Sequence, residues 1–218
     1  MLAFRSSSPL IPACVVIAGC LIAGPPLAAQ TALGIVDRVQ GDARIVHQEH
    51  SVAAKSGHPV AGGDVLRTGA GSRLRVVFHD GTRLTLGESA EAFIADFVYN
   101  PIKKSGAALL DIIKGAFRFT SGEIGRLTDK RIAVRTSRAT ASVSSAQPVD
   151  IWGGPIDDTY GLLLLTGDGI EVRNNGGMVV LDKKRLGSTI PAKGMAPDAP
   201  VAWDKDKVGK AIAAIAFK

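Results

Sequence analysis

The stretch Arg67–Gly87, RTGAGSRLRVVFHDGTRLTLG, decides how the rest of the chain is read. In an extended RLRVVF, Leu74, Val76 and Phe78 share one face, while Arg73, Arg75 and Val77 share the other. Past the turn, Leu84 and Leu86 make an apolar face opposite Arg83 and Thr85. A two-residue loop at Asp80-Gly81 pairs Phe78 with Arg83 and mixes apolar with charged side chains on each face. A three-residue loop, His79-Asp80-Gly81, restores the parity, with Leu84 opposite Val76 and Leu86 opposite Leu74. Such loops need a positive φ at their third position, which Gly81 supplies without a Cβ clash. Asp80 and Gly81 are therefore read as turn chemistry, in a hairpin or at a corner between two packed sheets. The arginines then form a wet outer face.

The same grammar recurs along the chain. GIVDRVQG, ARIVH, AFIADFVY, RIAVRT, GIEVR and GMVVL all alternate apolar with polar residues, and glycine or Gly-Asp pairs punctuate them. Short alternating runs between turn signals mark an all-β sandwich, barrel or solenoid. Gly41-Asp42, Gly63-Asp64 and Gly167-Asp168 each precede such a run, an internal similarity that suggests stacked layers. AALLDIIKGAFRF fits either a helix or two strands joined near Lys114-Gly115. WDKDKVGKAIAAIAFK reads as a helix with Val208, Ala211, Ile212 and Ile215 on one face and Asp204 or Asp206 as its cap. Ahead of it, PAKGMAPDAPVA reads as a Pro/Ala-rich linker, and the helix is expected to pack on the β-body.

Arg5 is the one charge before Asp37, and LIPACVVIAGCLIAG follows it. A positive start, an apolar run and the small residues Leu27-Ala28-Ala29 predict an export signal cut after Ala29. Ile17-Ala18-Gly19-Cys20 offers the alternative of a lipoprotein attached through Cys20. Both cysteines, Cys14 and Cys20, fall inside this segment, so the mature chain is expected to be held by its core and not by disulfides. The expected location is periplasmic or secreted, with no membrane span in the mature chain.

The 218 residues carry a net charge of +6. Aromatic residues make up 5% and no nucleic-acid motif is present, which argues against base stacking and a nucleic-acid partner. Arg73, Arg75 and Arg83 project from neighbouring strands within reach of one carboxylate or phosphate, a candidate anion site set against a merely solvated face. TGAGSR lacks the Lys-Ser/Thr ending of a phosphate loop. In HQEH, His47 and Glu49 share a strand face that His50 does not, so no metal site is assigned. Ser144-Ser145 lack a nucleophile elbow, and the adjacent Asp157 and Asp158 point apart on an extended chain. No catalytic residue, cofactor or metal is therefore expected.

Four pieces resemble the FecR-type periplasmic domain in order. They are GIVDRVQGDARIV, AGGDVLRTGAGSRLRVVFHDGTRLTLGESAE, GAFRFTSGEI and WGGPIDDTYGLLLLTGDGIEVRNNGGMVVLD. The shared features are Gly63-Asp64 to Gly69, the Phe78–Thr82 corner and the Gly115–Phe119 strand. The resemblance runs from about Gly34 to Ile190. It implies an all-β body used for protein contact or sensing and not for catalysis. The founding members join this domain to a cytoplasmic anti-sigma segment and a membrane helix, neither of which is matched here. TSRATASVSSAQPVDIWGG also departs from the family's Arg-Gly-Thr, so that arginine's role is not carried over.

The expected protein is mainly β, a layered β-solenoid-like or β-sandwich body with a short C-terminal helix. It divides into a signal at 1–29, a FecR-type domain at 30–191, and a linker with helix at 192–218. The expected function is a non-enzymatic protein-interaction or sensing module of the cell envelope, with an unknown envelope protein as partner. The alternative is an envelope or matrix component that binds anionic polysaccharide through the arginine face. An unrecognised hydrolase is the third reading.

Overall fold

The computed structural model describes residues 31–218; the expected signal segment, the expected cleavage site after Ala29 and Cys20 lie outside the described residues. Alternating side chains make each run a strand with one apolar face, and two sheets bury those faces against each other. Strand β1 (Gly34–Gln40) lies in the first sheet, β2 (Ala43–His47) and β3 (His50–Ala53) in the second. The chain then crosses to β4 (Pro59–Val60) in the first and back to β5 (Val65–Thr68) in the second. Hairpin β6 (Arg73–Phe78) with β7 (Arg83–Leu86) belongs to the first sheet, and β8 (Glu91–Asn100) with β9 (Ser105–Lys114) to the second. After β10 (Phe117–Thr120) in the first, a 3-10 turn at Glu123–Arg126 leads to β11 (Asp129–Thr136) and β12 (Thr140–Val143) in the second. Hairpins continue to alternate: β13 (Asp150–Ile156) and β14 (Thr159–Thr166), β15 (Ile170–Asn174) and β16 (Gly177–Leu181), then β17 (Leu186–Ile190) and β18 (Val201–Ala202). Helix α1 (Lys205–Ala213) closes the order.

The nine-stranded first sheet runs β18-β17-β14-β13-β10-β7-β6-β1-β4, and the nine-stranded second runs β16-β15-β12-β11-β9-β8-β5-β2-β3. Apart from the turned-back first hairpins, order in space follows order in sequence, so the chain climbs the sandwich in layers. The β9–β11 pair is parallel, because β10 departs to the other sheet between them. AALLDIIKGAFRF is thus two strands in different sheets. Ala108, Leu110 and Ile112 point into the core from one, Phe117 and Phe119 from the other.

The core between the sheets holds Leu66, Leu74, Leu84, Leu86, Ile94 and Leu110, all fully buried. Phe78 of the first sheet stacks on Phe97 of the second with ring centroids 4.2 Å apart, joining the layers directly. A second apolar cluster sits on the outer side of the first sheet. There Trp152, Leu163 and Trp203 are buried with Ala211 of α1 and Ile215 just after it. Asp204 caps that helix by accepting from the Lys207 N–H at 2.7 Å. A Cβ at Gly161 or Gly187 meets the Trp203 indole at 2.5 or 2.4 Å, so both glycines are needed for the slot the indole fills. Segment 192–218 is accordingly no free tether: it adds β18 to the first sheet and lays α1 on β13. No helix among the described residues is long and apolar enough to cross a membrane.

Candidate functional site

Where α1 does not reach, the outer side of the first sheet is open and polar. Strands β6, β7 and β10 send one residue in two inward, so the intervening residues face out: Arg75 and Val77, Arg83 and Thr85, Arg118 and Thr120. The register sets two rows across the strands. Arg75 lies opposite Thr85 and Thr85 opposite Arg118; Val77 lies opposite Arg83 and Arg83 opposite Thr120. Asp37 and Asp150 join these residues to line a depression of about 690 Å³.

Two of the three guanidiniums are already engaged. Arg75 donates through Nε to Asp37 Oδ2 at 2.5 Å. Arg118 grips Asp150 through two edges, Nε to Oδ1 at 2.9 Å and Nη2 to Oδ2 at 2.5 Å. Asp150 is almost wholly buried, and its hydrogen bonds raise the Arg118 pKa further despite partial desolvation. Arg83 is exposed and forms no ion pair with any described residue.

The expected anion trio needs one correction. Arg75 and Arg83 share the depression, but Arg73 does not. It is 8% exposed, donating Nη1 to the Ser72 carbonyl, with its Nε buried and unpartnered among the described residues. Arg73 pairs in register with Gln40, whose side chain accepts from the Lys218 N–H at 2.8 Å, so the C-terminal tail crosses the sheet here. Phe217 of that tail lies over Arg38 and Arg75, 4.7 and 5.5 Å from the ring centroid. Arg118 takes the third place. Its parity in FRFT matches that of Arg83, but only the long-range β7–β10 pairing brings the two together.

Asp80 and Gly81 close the β6–β7 loop. Leu74 lies opposite Leu86 and Val76 opposite Leu84, and Gly81 has φ +83°. Asp80 also reaches beyond the turn. Its buried carboxylate accepts from the Thr82 N–H and hydroxyl, both at 2.8 Å, and from the Ile124 N–H at 3.0 Å, pinning the 3-10 turn to the hairpin.

Several other chemistry-bearing residues hold turns and α1 in place. His47 Nδ1 lies 2.7 Å from Asp64 Oδ1, and Asp64 Oδ2 accepts from the Ala61 N–H in the turn before β5. Ser145 bonds Asp168, and Ser144 donates to the Gly169 carbonyl, fixing the turn before β15. Asp157 accepts from Lys210 of α1 at 2.7 Å, which lowers the carboxyl pKa. Among the described residues no three His, Cys, Asp or Glu side chains gather as a metal would need.

Residues 64–150 match the sequence model of the FecR family, described as FecR protein. No curated protein matches the chain. Three solved chains match it in structure. Two are crystal structures of a candidate anti-sigma factor from Parabacteroides distasonis, at TM-scores of 0.50 and 0.49 and 18% identity. Each alignment covers 66% of this chain and 62% of the other, so the likeness stops short of two thirds of that protein and shows a shared fold. The FecR segment supplies neighbouring strands of both sheets, β6, β7 and β10 in one and β5, β8, β9, β11 and β12 in the other.

Proposed function

We propose that this chain, built around the FecR domain of residues 64–150, is a non-enzymatic recognition module that works by protein contact in the cell envelope. One observation carries the reading. Every residue lining the depression except Asp37 lies within the FecR segment, so the matched strands themselves build this polar concavity. The Parabacteroides distasonis relative, a candidate anti-sigma factor, supports a signalling role for such a body. Export supplies the compartment in this proposal, with the chain cut after Ala29.

Affinity capture from envelope extracts tests the reading, with wild type beside Arg83→Glu. A partner retained at moderate salt by wild type and lost by the variant is expected. Equal retention by both proteins excludes this surface. N-terminal sequencing of the fractionated native protein is expected to begin at Gln30.

A second reading has its own support in the three arginines of the depression, which suit an anionic polysaccharide. Its signature is binding that weakens steeply as salt rises.

A further inference from the structure

We infer that the depression on the outer side of the first sheet receives a single carboxylate, the side chain of a glutamate or aspartate on a protein partner, with Arg83 as its main contact. The inference rests on the recognition reading and names its ligand. It begins with charge. Asp37 answers Arg75 through one hydrogen bond, and Asp150 answers Arg118 through two edges that also fix the guanidinium plane. Arg83 stands between them with no acid to meet it among the described residues. The lining is short by one negative charge, which a monoanion supplies.

Geometry then selects the anion and its carrier. A guanidinium offers paired N–H donors in a plane that matches a carboxylate. Arg75 and Arg118 are two strands apart, about 10 Å between Cα atoms, which leaves room for one such group beside Arg83. The open stretch is bounded on both sides. On one, Phe217 lies over Arg75; on the other, Trp152 follows Arg118 in the row, beneath the helix layer. A polyanion laid across the strands runs into both, whereas a projecting side chain enters from above.

The full chain can be titrated by NMR with the blocked tripeptide acetyl-Gly-Glu-Gly-amide, its Gln counterpart, inorganic phosphate and polygalacturonate. Saturable shifts of the Arg83, Thr85 and Arg118 amide signals are expected with the Glu peptide and not with the Gln peptide. Arg83→Gln is expected to weaken the response about tenfold. Arg131→Gln, at an exposed position of β11, is expected to leave it unchanged. Circular dichroism confirms that each variant is folded. Equal responses to the Glu and Gln peptides, an undiminished response in Arg83→Gln, or stronger binding of phosphate overturns the assignment. So does a response confined to polygalacturonate that collapses with salt. A protein partner captured through Arg83 alongside a negative titration leaves the recognition reading standing and removes this ligand.

Discussion

The outer side of the first sheet has two halves that share a backbone and differ in what covers them. Over β13 and β14 it is dry: Trp152 and Leu163 lie under Trp203 and α1. Over β6, β7 and β10 it is wet and carries Arg75, Arg83 and Arg118. The cause is visible in single strands. RLRVVF and FRFT alternate, so one face of each stays polar, whereas DIWGG and TYGLLLL place apolar residues on both faces and need a lid. The second face of these strands thus records whether the helix lies on top of them.

The sharpest way to break this contrast is to remove the lid's anchor. Trp203→Ala opens the slot over Gly161 and Gly187 and strips the edge-to-face partner from Trp152, 5.9 Å away. A loss of about 3–5 kcal/mol in urea unfolding is expected. Next in size is Arg118→Ala on the wet half, which leaves the buried Asp150 without its guanidinium. A loss of about 1–3 kcal/mol is expected by the same measurement. Arg83→Gln, a few ångströms away but unpaired and exposed, is expected to change stability by less than about 0.5 kcal/mol. Equal losses at Arg118 and Arg83 contradict the division of labour between a held and a free arginine.

The smallest effect at neutral pH concerns the core side of β14. Tyr160 is buried, its hydroxyl has no partner of good geometry among the described residues, and burial raises its pKa despite weaker opposing effects of Thr136 and Arg138. A raised pKa means that the folded state resists losing this proton. The associated stability is full below the ordinary tyrosine value of about 10 and is lost as pH rises above it. Tyr160→Phe is expected to leave the urea midpoint near pH 7 almost unchanged and to flatten its fall in alkali.

Local parity made much of this legible in advance. The Val76–Leu84 and Leu74–Leu86 pairs follow from a three-residue loop, which keeps arginine and leucine apart where a two-residue loop mixes them. The buried Ala211 and Ile215 follow from helical spacing, which left the cap open between Asp204 and Asp206; Asp204 takes it. What escaped were consequences of pairing between distant segments. The resemblance takes in the GAFRF strand, but nothing local says that β10 pairs with β7 and so sets Arg118 beside Arg83. Arg73 has the parity of a wet residue and is buried all the same, because the tail crosses where it pairs with Gln40. Asp80 was legible as a turn residue, but its bond to Ile124 joins groups 44 residues apart.

Because each hairpin settles beside the one laid down before it, the body can grow by accretion at its rims. Rows added or shaved beyond β4 or β18 leave untouched the pairs that hold Arg75, Arg83 and Arg118. Relatives of different size are therefore expected to vary in their outermost rows, while the spacing of about 4.8 Å between the arginine-bearing strands stays constant.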